Sequence, residues 1–376
     1  MKKNLSSACA PLLAVALAGT AGAAMAQSQV QLYGTVDGGV GVVSTLSAST
    51  PAAPAGVINK VTGVHSGNLQ TSFFGMNGTE DLGGGLKAKF LLEGFLRVDT
   101  GASGRFDAIP NIQTADPMFS RHAYVGLEGG FGEVRLGNND NIAWVSMLLT
   151  NPMGANSVFS PAFRQLYNGG ARGVSQVDTA MVNSVRYLTP KIGGFEGGAE
   201  YSADEGRGNA NYALHGMYRN GPLLATLAYQ HVGHGAPPAL TTPPPGPPLP
   251  PGTNVTARDQ DLTLFGAAYN FGPVRAFGQY VYIKDHRLNR TDKVPNFGVT
   301  VPVGAGQIQA AYSQDKTSGS TTAKRTTTSV GYVYSLSKRT DLYTFAMADK
   351  YSVNVANISR TAGTANSYVA GIRHRF

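Results

Sequence analysis

The chain has 376 residues, of which 48 are glycine and 17 are tyrosine, and only 14% are charged, with a formal net charge of +8. Basic and acidic residues are interleaved along the chain, which argues against a nucleic-acid-binding protein. Beyond the N-terminal region, no uncharged apolar stretch approaches the roughly 20 residues that a membrane-spanning helix requires. Composition therefore excludes a helical membrane protein and favours a chain of alternating strands.

The first 26 residues have the features of a secretory signal peptide. Lys2 and Lys3 precede a short apolar segment, and Ala24-Met25-Ala26 is a small-residue cleavage site, so cleavage is predicted before Gln27. The single cysteine, Cys9, lies in this segment. We therefore predict an exported protein without disulfides, with a signal peptide at 1–26 and a single domain at 27–376.

Apolar and polar residues alternate with period two through most of the remaining chain, whereas helical periodicity is scarce. Strands are predicted at 30–43, 86–98, 183–188, 195–202, 211–218, 223–231, 262–271, 274–284, 306–314, 326–335, 341–350 and 366–376. Tight turns at 80–85, 220–222, 271–273 and 337–340 alternate with long polar connections. Short turns at one end and long loops at the other are typical of a transmembrane β-barrel. A soluble secreted β-sandwich is the alternative, and it would not show this alternation.

Charge is confined to one face of the segment 86–97. Lys87, Lys89, Glu93 and Arg97 share one face, and the other face is apolar. Because a cationic side chain in lipid at the bilayer midplane costs about 2 to 4 kcal/mol, the charged face is predicted to line a water-filled lumen. The same alternation assigns to the lumen Arg186, Asn211, His215 and Arg219.

The last predicted strand also has two distinct faces. Tyr368, Ile372 and Phe376 point outward, whereas Arg373 and Arg375 share the lumen face. A strand at the edge of a sheet needs a partner, and a barrel supplies one by closing on itself. We therefore expect this strand to pair with the first strand, at 30–37.

Seven segments, in order over nearly the whole predicted mature chain, match motifs of one known family. They are Val30-Gln-Leu-Tyr-Gly-Thr-Val-Asp37, Gly78-Thr-Glu-Asp-Leu-Gly-Gly-Gly-Leu-Lys87, Phe119-Ser-Arg-His-Ala-Tyr-Val-Gly-Leu127, Tyr269-Asn-Phe-Gly-Pro273, Val301-Pro-Val-Gly304, Leu336-Ser-Lys-Arg-Thr-Asp-Leu-Tyr343 and Gly371-Ile-Arg-His-Arg-Phe376. On these residues, the chain resembles the Gram-negative general porins of the β-proteobacterial type, which are diffusion channels.

The resemblance implies an all-β protein, a sixteen-stranded antiparallel barrel in the bacterial outer membrane. It further implies a homotrimer, passive diffusion of ions and small hydrophilic solutes, and contact with outer-membrane lipid and lipopolysaccharide. Phe376 resembles the terminal aromatic residue that the barrel-assembly machinery reads. No catalytic residue, cofactor or metal is implied.

The resemblance also implies that a long third loop folds into the lumen, and we place this loop at 138–182. In similar porins, acidic residues of this loop face a cluster of arginines across the pore. Here the loop contains only Asp140 and Asp178 as acidic residues, and we expect Arg164 and Arg172 to cancel them.

The arginine cluster is only partly retained. Arg121 and Arg186 fall where the family has lumen cations, whereas Phe73 and Asn138 occupy positions where many relatives have arginine. The predicted constriction is therefore less charged and partly apolar on one wall. Arg97 and Arg135 point inward by strand alternation and are candidates to compensate. The alternative for each arginine is a structural ion pair with an inward carboxylate such as Glu93 or Glu133.

After removal of Lys2 and Lys3, the formal net charge of +8 falls to +6. A cationic lumen concentrates anions, so we predict weak anion selectivity. Two other functions are open: a substrate-specific porin with a saturable site, and an outer-membrane lipid hydrolase. The spacing His231-x-x-His234 lacks a nearby third ligand and is interpreted as incidental. The proline-rich segment 233–257 is predicted to be an exposed extracellular loop.

Overall fold

The computed structural model describes residues 29–46, 53, 56–104, 117–167, 179–203, 209–234, 257–355 and 357–376. The predicted signal peptide, Asp178, Arg172 and most of the predicted proline-rich loop lie outside the described residues. The described strands are β1 Gln29–Leu46, β2 Ile58–Ser66, β3 Phe73–Gly83, β4 Leu86–Phe95, β5 His122–Gly129, β6 Gly132–Asp140, β7 Ala180–Leu188, β8 Phe195–Ser202, β9 Asn211–Asn220, β10 Leu223–His234, β11 Ala257–Asn270, β12 Arg275–Asp285, β13 Arg290–Val303, β14 Gly306–Gly319, β15 Thr322–Ser335, β16 Thr340–Val355 and β17 Ile358–Arg375. Two helices, α1 Ile142–Leu149 and α2 Pro161–Leu166, lie between β6 and β7. Neither helix of the described chain is long and apolar enough to cross a membrane.

The strands close into an antiparallel barrel. β17 pairs with β1, with Thr35 opposite Arg375 and Val42 opposite Tyr368. At this seam, Gly34 N–H donates to Phe376 O at 3.2 Å and Phe376 N–H donates to Gly34 O at 3.1 Å. β2 and β3 both pair with the other edge of β1, so the two segments together occupy one strand position. The seventeen segments therefore form a closed sixteen-strand barrel, which confirms the predicted fold class.

A buried carboxylate organises the connection between β2 and β3. Asp37 of β1 accepts backbone hydrogen bonds from Asn68 at 3.0 Å and from Leu69 and Gln70 at 3.1 Å. It also accepts a hydrogen bond from the Tyr343 hydroxyl at 2.7 Å. Buried backbone N–H groups need partners, and Asp37 supplies them where the sheet ladder is interrupted.

Buried and exposed side chains alternate along the strands. Arg186 is buried between the exposed Val185 and Tyr187, and Asn211 and His215 are likewise buried. The exposed positions carry large apolar side chains, including Leu214, Phe265, Phe297, Val330, Tyr368 and Ile372. An apolar outer surface around a polar interior is the arrangement of a barrel in the outer membrane.

Several strands extend further than the sequence pattern predicted, and one is shorter. β6 continues to Asp140 and β7 begins at Ala180, so the predicted loop at 138–182 is reduced to 141–179. β4 ends at Phe95, three residues before the predicted end, because the chain turns there: Gly101 N–H donates to Arg97 O at 2.8 Å. The turn between β3 and β4 has three glycines with positive φ, Gly83, Gly84 and Gly85, a conformation that side chains disfavour.

Candidate functional site

The connection between β6 and β7 is built from two capped helices. The Asn141 side chain accepts hydrogen bonds from the backbone of Ala143 at 2.9 Å and Trp144 at 3.3 Å, which caps α1. The Ser160 hydroxyl accepts from the backbone of Phe163 at 3.3 Å and caps α2. Such caps satisfy N–H groups that have no partner within a helix, so both helices begin at defined residues.

These helices pack against buried side chains of the barrel wall. The Trp144 ring lies 5.1 Å from the rings of both Phe163 and Tyr167, in edge-to-face contact. Around them, one apolar cluster joins Met147 and Leu166 of the helices to wall residues Ala228, Leu262, Leu264, Val281, Ile283 and Val294. Within the described structure, α1 thereby lies against β8 to β11 and α2 against β13 to β15.

A buried charge network attaches α2 to β15 and β16 of the wall. The Arg164 guanidinium lies 3.6 Å from the Asp349 carboxylate and also donates to Ser44 O at 3.1 Å. Arg325 binds the same carboxylate through two nitrogens, at 2.9 and 2.7 Å, and donates to Arg164 O at 2.9 Å. Burial lowers the pKa of the Arg164 guanidinium to about 10, while the Asp349 charge opposes that shift, so the group stays protonated at neutral pH.

This network corrects one expectation. Arg164 was expected to cancel acidic residues of its own loop, but its carboxylate partner is Asp349 of β16. The β6–β7 connection makes a further contact with β16, where the Phe159 ring stacks on the Phe345 ring with their centroids 5.4 Å apart.

A second polar cluster forms around Glu93 of β4. Its carboxylate accepts a hydrogen bond from Arg121 Nε at 2.7 Å and is also bound by the Tyr33 hydroxyl and by His122 Nδ1. The Arg121 guanidinium lies over the Phe73 ring, 4.3 Å from its centroid. Glu93 therefore neutralises the charge of Arg121, and the Phe73 ring makes a cation–π contact with the Arg121 guanidinium.

Asp140 connects this cluster to the arginine of β7. Its carboxylate lies 2.7 Å from His122 Nε2, and its backbone carbonyl accepts from Arg186 at 3.0 Å. Glu200 lies opposite Arg186 in the ladder, but its carboxylate is bound by the Ser184 hydroxyl at 3.1 Å and the Ile142 amide at 3.3 Å. Among the described residues, no carboxylate lies within ion-pair distance of Arg186. Its positive charge is therefore less compensated than that of Arg121.

The other two predicted arginines have different surroundings. Arg135 Nη2 lies 2.7 Å from the Glu133 carboxylate, which also binds Lys89 at 3.0 Å. The Arg135 guanidinium lies 4.6 Å from the Tyr124 ring centroid. Arg97 lies in the connection that follows β4, and its backbone N–H donates to Ala102 O at 2.8 Å. Arg121 and Arg135 thus form the ion pairs with Glu93 and Glu133 that the sequence suggested as the alternative to free lumen cations.

Two of the cavities that border the β6–β7 connection are lined by charged side chains. A small one of about 90 Å³ is lined by Arg121, Asp140, Trp144 and Tyr167. A larger one of about 660 Å³ lies between residues 148–155 and the tight-turn ends of several strands, and is lined by Arg219, Arg275 and Arg373 together with amide side chains. No described carboxylate lines the larger cavity. The described residues also contain no group of three or more His, Cys, Asp or Glu side chains that could hold a metal ion.

Comparison with known proteins identifies the family. A family model described as Gram-negative porin matches residues 13–354. The chain belongs to this porin family. The porin is 33% identical over 351 residues to outer membrane porin protein 32 of Delftia acidovorans. This alignment covers 88% of this chain and 87% of the relative. It is 29% identical to an outer membrane porin protein of Bordetella pertussis over the full length of both chains.

Solved structures show the same fold. An anion-selective porin from Comamonas acidovorans superposes with a TM-score of 0.68 at 28% identity, covering 93% of this porin and all of that chain. The trimer form of OmpT of Vibrio cholerae gives a TM-score of 0.61 at 14% identity, covering 93% and 99% of the two chains. The porin is therefore an outer-membrane channel protein and not an enzyme, which removes the lipid-hydrolase alternative.

Sequence reasoning named Glu93 and Glu133 as candidate partners of the arginines, but it missed other residues of the site. It did not find Tyr33 and His122, which bind Glu93, or Arg275, which lies 4.9 Å from the Phe277 ring in the larger cavity. His122 follows Arg121 directly in a matched motif, which was an available signal. Tyr33 is not next to Arg121 in the sequence. Its contact with Glu93 arises because β1 and β4 pair with the two edges of β3.

Proposed function

We propose that this porin is weakly anion-selective in its passive diffusion of ions and small hydrophilic solutes. The observation that carries this proposal is the cavity of about 660 Å³, lined by Arg219, Arg275 and Arg373 without a described carboxylate. Fixed positive charge at a low-dielectric wall raises the local concentration of anions. The 28% identical Comamonas protein is itself named an anion-selective porin, which supports the proposal.

The preference is weak because most of the inner cations are compensated. Glu93 binds Arg121, Glu133 binds Arg135, and Asp341 binds Arg373 at 2.7 Å. Arg186 is the exception described above. A channel with few uncompensated cations concentrates anions modestly, and salt screens the effect further.

The segment 141–179 is the constriction element in this proposal. Its helices contact buried side chains of β10 to β13, and Arg164 reaches Asp349 of β16. In a closed barrel, buried wall residues face the interior, which supports a loop folded into the lumen. On this assignment, Phe73, Glu93, Arg97, Arg121, Glu133, Arg135, Asp140, Asp178 and Arg186 are the candidate pore residues.

We further propose a homotrimer whose outer surface contacts outer-membrane lipid and lipopolysaccharide. The family resemblance implies the trimer, and the exposed apolar side chains support the lipid contact. Phe376 is about half exposed beside the closing seam, which is consistent with recognition by the barrel-assembly machinery.

Reconstitution in a planar bilayer tests the selectivity. With a KCl gradient across the bilayer, the sign of the reversal potential should correspond to chloride passing faster than potassium. A clear preference for potassium contradicts the proposal. Insertion events with three equal conductance levels support the trimer. Conductance that saturates with one class of solute indicates the substrate-specific alternative.

A further inference from the structure

Three lysines stand side by side on the outer face of the barrel. Lys293 of β13 is directly opposite Lys316 of β14, and Lys316 is directly opposite Lys324 of β15. Directly opposite residues have Cβ atoms about 4.5 to 5.5 Å apart, and like charges in such pairs destabilise a sheet. We call Lys293, Lys316 and Lys324 the lysine row.

All three side chains point away from the barrel interior. Each is exposed, while its chain neighbours Asp292, Asp315 and Arg325 are buried. On the same faces of β13, β14 and β15 lie the exposed apolar side chains Phe297, Tyr312 and Val330, which mark the lipid-facing surface.

No described carboxylate compensates the lysine row. None of the three ammonium groups forms an ion pair or hydrogen bond with the described residues, and the outward positions of β13 to β16 contain no acidic residue. Two further outward lysines, Lys284 of β12 and Lys350 of β16, flank the row on the neighbouring strands. Asp261 lies opposite Lys284, so the uncompensated charge is centred on the row itself.

The row lies at the height of the lipid headgroups. Lys316 is ten residues beyond Gly306, where β14 begins at a tight turn, and Lys293 is ten residues from Val303. At about 3.4 Å per residue and a strand tilt of about 40°, ten residues rise about 26 Å, and the apolar band of such barrels is about 25 Å tall. Tight turns lie at the periplasmic end, so the lysine row is at the upper edge of this band, in the outer leaflet.

A single lysine at a membrane interface is common, because its long side chain reaches toward water. Three lysines directly opposite one another differ from a single lysine, because the ammonium groups repel and destabilise the sheet unless an anion lies between them. The partner that fits is anionic, fixed at headgroup height and outside the barrel.

We propose that the lysine row binds the phosphate groups of lipopolysaccharide in the outer leaflet. The phosphates bridge neighbouring ammonium groups and replace the repulsion along the row with charge-assisted hydrogen bonds. This inference rests on the outer-membrane location, but not on the proposed ion selectivity, because the row faces away from the channel.

Binding of purified lipopolysaccharide to the refolded full-length mature porin in detergent tests the proposal. Since each lysine near an anionic lipid surface contributes roughly a fivefold factor in affinity, K316Q/K324Q should weaken binding about thirtyfold. The matched control is K191Q/K338Q, which removes two lysines at the tight-turn end and should bind like the wild type. K316R/K324R keeps both charges and should bind within about twofold of the wild type.

The source of the phosphate is tested with two more probes. Lipopolysaccharide with its phosphates removed should bind the wild type as weakly as intact lipopolysaccharide binds K316Q/K324Q. Inorganic phosphate at equal phosphate concentration should not displace the intact lipid. Equal binding by wild type and K316Q/K324Q overturns the proposal, as does complete displacement by inorganic phosphate.

Circular dichroism and heat-dependent electrophoretic mobility verify that each variant is folded. Channel conductance, measured separately in phosphatidylcholine bilayers, should be unchanged in K316Q/K324Q. A porin that binds lipopolysaccharide through the row but prefers cations would refute the proposed selectivity alone.

Discussion

The net charge around Arg121 depends on one neighbouring side chain. Glu93 holds the guanidinium at 2.7 Å and is itself bound by Tyr33 and His122. Phe73, at a position where the family resemblance implies arginine, lies under the guanidinium, with its ring centroid 4.3 Å from Arg121 Cζ. We expect this contact to hold Arg121 in place when Glu93 is changed. The same residue can thus be a structural ion pair or a free lumen cation.

Replacing Glu93 with glutamine separates these two roles. E93Q removes one negative charge next to Arg121, so we expect a stronger preference for chloride over potassium. A unit charge at about 4 Å contributes about 1 kcal/mol in water, and screening reduces this to about a twofold change in the permeability ratio. The reversal potential in a salt gradient measures it.

D81N is the control for this variant, because it removes an exposed carboxylate near the end of β3, where Asp81 accepts from Gly83 N–H at 2.9 Å. It should leave the permeability ratio unchanged. A shift of E93Q toward potassium would rule out Glu93 as the compensating charge.

At the scale of the element, the β6–β7 connection is held by contacts with distant strands. Asp349 binds both Arg164 of α2 and Arg325 of β15, and all three groups are buried. Removing one partner of a buried ion pair leaves the remaining charges without compensation. This carboxylate is therefore one polar attachment of α2, and the Gln165 amide is another, donating to Ser313 O at 3.0 Å and to the Thr327 hydroxyl at 3.2 Å.

D349N should loosen this attachment. The free energy of unfolding should fall by about 3 to 5 kcal/mol, as for other broken buried pairs, and single-channel current should become noisier as the segment moves. Urea unfolding and single-channel recording measure the two effects. D261N removes a carboxylate that binds His231 and His286 on the outer face, and it should change neither quantity by a comparable amount. A quiet, fully stable D349N channel would show that apolar packing and the hydrogen bonds of Gln165 are enough to hold α2.

Strands with regular alternation were predictable, and those with irregular sequence were not. β8 at Phe195–Ser202 matches its predicted range, because aromatic Phe195 and Tyr201 lie on one face and Glu196 and Glu200 on the other. β13 was not predicted as a strand. It contains Pro295, and its ladder with β14 omits Val294 and Pro295, since proline has no N–H to donate.

The helices and the charge partners were also beyond the sequence pattern. Ile142, Ala143, Trp144, Ser146 and Met147 of α1 are all buried, so no polar face reveals helical periodicity. Arg164 meets Asp349 only because α2 packs against the wall, and the members of the lysine row meet only through strand register. Alternation fixes the face of a residue but not its neighbour on the next strand.

At the scale of the whole molecule, the barrel depends on close packing at the β1–β17 seam. A Cβ added at Gly34 would lie 2.6 Å from the Phe376 ring and from Phe73 O. At Gly38, on the same strand and the same face, a Cβ would meet nothing within 4 Å. The two glycines therefore form a matched pair.

G34V should lower the free energy of unfolding by about 1 to 3 kcal/mol, because overpacking forces the strands apart. G38V should leave it unchanged or slightly higher, since valine favours strands. Urea unfolding in lipid vesicles compares them. Equal stability of the two variants would mean that Phe376 is not held at the seam.

The carboxylate of Asp37 gives one short stretch of the wall an independent stability. The amides of Asn68, Leu69 and Gln70 are bonded to one side chain rather than to a neighbouring strand. Hydrogen exchange at these three amides therefore reports the opening of a local unit, separate from the cooperative unfolding of the sheet.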